Sequence, residues 1–145
     1  MSEADARSIW AMIEAEPAGY IGGFTPFHGL DDLLSALAAA AADIYRSLFL
    51  DGALTGFFML RGFDKGLARP AFGVFVASRS AGNGVARFAL DQAVALSLAR
   101  GAAALFLTVA ETNRRALELY RRNGFREIGL HPQSGQVMME RLLRS

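Results

Sequence analysis

The fold is decided by the stretch Val74-Phe75-Val76-Ala77-Ser78-Arg79-Ser80-Ala81-Gly82-Asn83-Gly84-Val85-Ala86-Arg87. Before it, Phe72–Val76 is short, apolar and β-branched at alternate positions, which predicts a buried strand. After it, the Ala- and Leu-rich run 83–100 predicts a helix that ends at Gly101. The stretch therefore predicts a strand, a tight loop and the first turn of a helix.

The loop between this strand and this helix has the chemistry of an anion site. Gly82 and Gly84 permit a sharp turn because they lack a Cβ. Backbone N–H groups at a helix start have no intrahelical partner, and the helix dipole favours negative charge there. Arg79 adds a positive charge at the loop mouth. The loop lacks both the G-x-G-x-x-G dinucleotide pattern and the G-x-x-x-x-G-K-[ST] pattern of NTPases.

The rest of the chain predicts a mixed sheet with helices. The run 2–16 is a predicted helix with Ser2 as its N-cap, and 31–42 is a second one. Asp51-Gly52 separates two apolar runs, 44–50 and 53–60, and predicts an antiparallel hairpin. A crossover helix joins parallel strands, so the apolar run 102–109 is expected to lie parallel to Phe72–Val76.

The C-terminal third predicts one more helix and two more strands. A helix is expected to begin near Thr112 or Asn113, with Gly124 as its left-handed stop. The runs 125–130 and 136–143 are the last predicted strands.

Composition limits the function classes. The chain has 145 residues, the usual size of one domain, and a net charge of +1, which argues against a general nucleic-acid binder. It has no cysteine, and its two histidines, His28 and His131, lie far apart, so no metal site is expected. No signal peptide and no apolar run of membrane-spanning length is found, which predicts a cytoplasmic protein without a membrane partner.

The segment 18–29 is rich in glycine and aromatic residues and predicts a loop. Its large side chains either fill the core or line a pocket. The substrate-contact candidates from this loop are Tyr20, Phe24, Phe27 and His28. His28 would serve as a general base with a pKa near neutral, or as a structural histidine.

Two motifs resemble those of the GNAT N-acetyltransferase superfamily. Arg79-x-x-Gly82-x-Gly84 resembles its R/Q-x-x-G-x-G/A loop, which binds pyrophosphate. Asn113-x-x-Ala116-x-x-x-Tyr120-x-x-x-Gly124-Phe125 resembles its second signature, at the expected distance along the chain. The resemblance implies an α/β fold with a central mixed sheet of about six or seven strands flanked by helices. It also implies one domain over 1–145, with 1–43 on the substrate side and 44–145 as the acyl-CoA-binding core.

The resemblance further implies roles for individual residues. Arg79 and the amides from Ser80 to Gly84 would hold the pyrophosphate of acetyl-CoA, and Asn113 the pantetheine arm. An N–H near Val74 or Phe75 would polarise the thioester carbonyl, and Tyr120 would be the general acid that protonates the thiolate. The implied cofactor-binding set is Val74, Phe75, Val76, Arg79, Ser80, Ala81, Gly82, Asn83, Gly84, Val85, Asn113 and Tyr120.

The implied reaction is acetyl transfer from acetyl-CoA to an amine of a small molecule or peptide by direct attack. No carboxylate lies on 72–78 to act as base, and His28, Asp31, Asp32, Glu111 or a water relay remain open. The apolar loop favours a small amine with an apolar part over a polyamine. Two alternatives are a CoA-binding sensor without activity and an acyltransferase for a longer acyl-CoA. A homodimer through the C-terminal strand also remains open.

Overall fold

The computed structural model describes residues 1–17, 19–20 and 27–143. Its strands are β1 (Ile44–Leu50), β2 (Ala53–Arg61), β3 (Ala71–Val76), β4 (Ala104–Val109), β5 (Arg126–Leu130) and β6 (Val137–Leu142). Its helices are α1 (Glu3–Ala15), α2 (Leu30–Ala39), α3 (Val85–Ala99) and α4 (Arg114–Arg122). The strands form one sheet in the order β1-β2-β3-β4-β6-β5, in which β3 and β4 are parallel and the other described pairs antiparallel. The predicted mixed sheet with flanking helices is confirmed.

The hairpin between β1 and β2 forms where Asp-Gly predicts it. Asp51 and Gly52 both have positive φ, +52° and +80°, as a two-residue type I′ turn requires. Leu50 pairs with Ala53 directly across the turn. At the other end of β1, α2 stops at Ala39 and does not reach the predicted residue 42. The amides at 41 and 42 donate instead to the carboxylate of Asp64, which takes them out of the helical pattern.

Each face of the sheet buries its own apolar cluster. On one face α1 and α2 cover the cluster of Ala6, Ile9, Phe27, Leu33, Tyr45, Phe57, Met59, Phe75 and Ala77. On the other face α3 and α4 cover a larger cluster that contains Phe72, Leu90, Leu105 and Tyr120. Phe72 and Phe75 lie in different clusters because side chains alternate across a strand. The strand β3 is therefore packed on both faces.

Gly56 on β2 holds the end of β3 at close range. A Cβ at this position would lie 2.0 Å from the carbonyl oxygen of Phe75, which is a backbone atom. Because neither backbone can move alone, we expect Gly56→Ala to lower the free energy of unfolding by about 3 kcal/mol. Chemical denaturation measures this loss. The control is Gly29→Ala, because a Cβ there would meet nothing within 4 Å. Equal losses in the two variants would contradict the close approach.

Candidate active site

The strands β3 and β4 are bridged only near the start of β3. Ala71 is bridged to Phe106, and the Phe106 amide donates to the carbonyl oxygen of Pro70 at 3.0 Å. Beyond this point no further bridge joins the two strands within the described chain. A cleft of about 1280 Å³ opens here, bordered by β3, the start of α3, the end of β4, and α4. The sheet is thus split along one edge of β3.

The free edge of β3 presents alternate backbone groups to the cleft. Ala77 donates its N–H to the carbonyl oxygen of Thr55 on β2, whereas the Pro70 carbonyl accepts from Phe106 on β4. Since backbone groups alternate in direction along a strand, those of Val74 and Val76 face the cleft and those of Phe75 face β2. Of the two amides considered for the thioester carbonyl, the Val74 amide is therefore the one that points into the cleft.

The start of α3 carries the unpaired amides of the anion loop. Gly84 is the N-cap residue of α3 and has a φ of +78°. The first hydrogen bond of α3 runs from the Phe88 amide to the Gly84 carbonyl oxygen. Between residues 82 and 87, the backbone N–H groups without a partner in the described chain are those of Gly82, Gly84, Val85, Ala86 and Arg87. The first turn of α3 contains no acidic residue. These donors and the helix dipole make a site for an anion.

Three amides of the predicted set are used inside the loop itself. The Ser80 amide donates to Ala77 at 2.9 Å and the Ala81 amide to Ser78 at 3.1 Å, because 78–80 forms one turn of 3₁₀ helix. The Asn83 amide approaches the Ser80 carbonyl oxygen at 3.4 Å. The hydroxyl of buried Ser80 bonds that of Thr55. The free donors are therefore displaced toward α3 relative to the predicted set.

Arg79 lies away from the cleft. Its guanidinium donates to the carbonyl oxygen of Leu54 at 2.9 Å, and its side chain borders a smaller pocket beside α1. Shifted by two residues, Ala81-x-x-Gly84-x-Ala86 matches the loop pattern at its two small positions only, and it puts both of them at the start of α3. In that register alanine replaces the arginine of the pattern.

Arg115 lies where a cation could meet an anion bound at this loop. Its Nη2 is 3.4 Å from the place that a Cβ on Gly82 would occupy, and its side chain borders the cleft. The sequence prediction missed this residue, which is one of the variable positions between Asn113 and Ala116. The sequence did contain a signal for Arg115: it lies in the first turn of α4, two residues after Asn113 of the motif.

Tyr120 lies in the wall of the cleft and is buried. Its ring makes an edge contact with Phe72, with centroids 6.5 Å apart, and a closer contact with Phe125 at 5.6 Å. Burial raises the pKa of Tyr120 to about 12. The hydroxyl has no hydrogen-bond partner in the described chain. A neutral phenol thus borders the cleft with its proton available for a bound group.

Asn113 and His131 are among the other polar residues that border the cleft. The Asn113 side chain caps α4, with Oδ1 accepting from the Ala116 amide at 3.2 Å, and leaves its NH₂ group available. His131, which was not among the predicted site residues, accepts at Nδ1 from the amides of Gln133 and Ser134. An accepting Nδ1 means that a neutral His131 carries its proton on Nε2.

The four substrate-contact candidates are separated in the structure. Tyr20 borders the cleft, and its hydroxyl donates to the carbonyl oxygen of Val76 at 2.7 Å. Phe27 fills the core beside Tyr45, with Arg61 over its ring. His28 is exposed and does not border the cleft, and Phe24 lies outside the described residues. Of the three described members of this set, Tyr20 is the one that borders the cleft.

No described helix is long and apolar enough to cross a membrane. Across residues 1–17, 19–20 and 27–143, no group of three or more histidine, aspartate or glutamate side chains is arranged to hold a metal ion.

The chain matches the model of the Acetyltransferase (GNAT) family over residues 25–125. Similar solved structures include a chimeric spermidine N-acetyltransferase from Vibrio cholerae, at 22% identity and TM-score 0.78, covering 99% of this chain and 92% of that one. The PaiA N-acetyltransferase of Thermoplasma acidophilum, solved with coenzyme A, has 16% identity and TM-score 0.75, with coverage of 98% and 95%. A domain from Methanocaldococcus jannaschii has 13% identity and TM-score 0.80, with coverage of 98% and 94%. No curated protein matches the sequence.

Proposed function

Because the chain belongs to the GNAT acetyltransferase family and is therefore an acyltransferase, we propose that it transfers the acetyl group of acetyl-CoA to an amine. The acceptor is a small molecule or peptide amine that attacks the thioester directly in a ternary complex. The observation that carries this proposal is the split between β3 and β4, with an anion site at one end and Tyr120 in its wall.

The anion site supports binding of the pyrophosphate of acetyl-CoA. The unpaired amides from Gly82 to Arg87 would donate to phosphate oxygens at the positive end of α3. Arg115 would add the formal charge, since the guanidinium of Arg79 is held at Leu54. Charge-assisted hydrogen bonds of this kind are about twice as strong as neutral ones.

The free edge of β3 supports binding of the pantetheine arm. The arm contains two amides and would add to the edge as an extended peptide does. The N–H and carbonyl groups of Val74 and the N–H of Val76 face the cleft for this purpose. The Val74 amide would donate to the thioester carbonyl, where negative charge develops during attack. Asn113 would donate to the arm through its free NH₂ group.

The chemistry then requires one bond to form and one to break. The amine nitrogen bonds to the acetyl carbon, the carbon–sulfur bond breaks, the nitrogen loses one proton and the sulfur gains one. Tyr120 would donate a hydrogen bond to the departing sulfur. With no cysteine in the sequence, no thiol is present to carry the acetyl group on the enzyme.

Amine-dependent release of coenzyme A tests the proposal. A thiol reagent detects only the released coenzyme A, because the protein contains no cysteine. We expect acetyl-CoA to yield free thiol in proportion to added amine, with the acetylated amine found by mass spectrometry. Thiol release that does not depend on the amine, or binding of acetyl-CoA without release, would contradict acetyl transfer. Binding of acetyl-CoA without release would favour the alternative function, a CoA-binding sensor without activity.

Arg115 is expected to contribute more to acetyl-CoA binding than Arg79. Loss of a charged hydrogen bond is worth about 2 kcal/mol, so we expect Arg115→Ala to raise the Kd for acetyl-CoA by about 10-fold or more. Arg79→Ala is the matched comparison, because its guanidinium contacts Leu54. Calorimetry measures both. A larger rise in Kd for Arg79→Ala than for Arg115→Ala would mean that Arg79, and not Arg115, contacts the pyrophosphate.

A further inference from the structure

Glu16 joins the end of α1 to the turn that follows β3. It lies one residue beyond α1 in an extended conformation. Its Oε1 accepts from the amide of Ser78 at 3.0 Å and from the Ser78 hydroxyl at 3.1 Å. One carboxylate oxygen therefore has a structural task, which is to hold α1 against the turn.

The other carboxylate oxygen of Glu16, Oε2, makes no such structural contact. Oε2 of Glu16 is buried and has no hydrogen-bond partner in the described chain. A buried polar atom without a partner costs about 1–3 kcal/mol, and a charged one costs more. An oxygen in this condition would be stabilised by a donor from a bound molecule.

A pocket of about 300 Å³ lies next to this carboxylate. Its walls are mostly apolar, with one carboxylate and one guanidinium, and the residues are Ser8, Ala11, Met12, Ala15, Glu16, Ala77 and Arg79. A volume of this size is at the small end of ligand pockets. The pocket has room for a compact molecule with an apolar body and one positively charged end.

The pocket and the cleft share a wall. Val76 and Ser80 border the cleft. Ala77 and Arg79, which lie between these two residues in the sequence, border the pocket. Tyr20 borders the cleft, and its hydroxyl donates to the carbonyl oxygen of Val76, one residue before Ala77. Glu16 reaches the same end of β3 through its hydrogen bonds to Ser78. Burial, first, and the charge of Glu16, second, raise the pKa of Tyr20.

We propose that this pocket receives the acceptor and that Oε2 of Glu16 binds its ammonium group. The inference rests on the proposed acetyl transfer and names the substrate class, a primary monoamine with a small apolar body. A polyamine would need a second carboxylate, and the pocket walls offer only one in the described chain.

Glu16 acts as a binding residue and not as the base. Oε1 of Glu16 already accepts two hydrogen bonds from Ser78, and Oε2 would accept from the ammonium group. Glu16 would therefore hold and orient the ammonium group, and the proton would leave to solvent.

The test is Glu16→Gln with n-butylamine and phenethylamine as acceptors. The glutamine carbonyl can still accept from Ser78, so the turn is kept while the charge is lost. We expect KM for the amine to rise about 10-fold or more, with kcat and the Kd for acetyl-CoA within about 2-fold. Glu14→Gln, an exposed position on α1, is the control.

A second variant changes the shape of the pocket and leaves its charge in place. Ala11→Leu should raise KM for phenethylamine more than for n-butylamine, whereas Ala4→Leu, about two helical turns away on α1 and not part of the pocket wall, should change neither. Amine-dependent turnover with unchanged KM in Glu16→Gln and Ala11→Leu would overturn the pocket and leave acetyl transfer intact.

Binding can also be read without turnover. Isothermal titration calorimetry with n-butylammonium chloride should detect binding to the wild type but not to Glu16→Gln. If the wild type turns over no amine, acetyl transfer fails, and this titration still decides the pocket. Equal binding to both proteins, or binding to neither, would overturn it.

Discussion

Replacing Tyr120 with phenylalanine is expected to lower kcat for acetyl transfer by about 100-fold or more. The Kd for acetyl-CoA should stay within about 2-fold, because the ring remains packed between Phe72 and Phe125. Steady-state kinetics measures the first quantity and calorimetry the second. The control is Tyr45→Phe, since Tyr45 is buried in the cluster on the opposite face of the sheet.

The raised pKa of Tyr120 makes this prediction sharper. A phenol with a pKa of about 12 is protonated throughout the range from about pH 7 to pH 10. The ratio of wild-type to Tyr120→Phe kcat should therefore be constant over that range. A ratio that falls by pH 9 would mean that the phenol ionises there. An unchanged kcat in Tyr120→Phe would reduce Tyr120 to a packing residue.

The same pKa limits what Tyr120 does to the sulfur. An ordinary thiol has a pKa of about 8.5, so complete transfer of the phenol proton to the thiolate is uphill by roughly 5 kcal/mol. Tyr120 is therefore expected to stabilise the departing thiolate mainly by its hydrogen bond. This hydrogen bond is formed to a developing charge in a buried setting, where it is strong.

Replacing Gly84 with glutamate is expected to raise the Kd for acetyl-CoA by about 100-fold or more. The new carboxylate would stand at the anion site, repel phosphate and compete for the same N–H donors. A Cβ on Gly84 meets no atom within 4 Å, so the effect comes from charge and from the strain of a positive φ. Calorimetry with acetyl-CoA measures the affinity, and denaturation checks the fold.

A matched control exists at the other end of α3. Gly101 also has a positive φ, +79°, and a Cβ there also meets nothing within 4 Å. Gly101→Glu therefore introduces the same strain and the same charge far from the cleft, and acetyl-CoA affinity should be unchanged. Gly84→Gln separates strain from charge and should lie between the wild type and Gly84→Glu. Unaltered affinity in Gly84→Glu would contradict an anion site at this loop.

The sequence predicted the sheet well because its signals are local. Asp51-Gly52 demands positive φ at two adjacent residues, and few structures other than a type I′ hairpin satisfy that demand. The parallel pairing of β3 with β4 followed from a crossover through α3. The hairpin and the parallel pair both follow from backbone preferences that can be recognised in short stretches of sequence.

The details of the site depended on contacts that patterns do not carry. One 3₁₀ turn at 78–80 consumes two of the predicted amide donors, and its presence depends on tertiary contacts such as that of Glu16 with Ser78. Arg79 was expected at the cleft, but the direction of a long side chain is set by partners such as the Leu54 carbonyl. Glu16 is far from the motifs in sequence, so no pattern could bring it to β3.

Amide NMR during titration with coenzyme A tests the central claim, that the cofactor lies along the open edge of β3. We predict that the amides of Val74 and Val76 shift and gain protection from hydrogen exchange, together with the unpaired amides from Gly82 to Arg87. The amide of Ala77, already bonded to Thr55, should be protected before the titration and change little. Unchanged Val74 and Val76 amides at saturating coenzyme A would contradict the account.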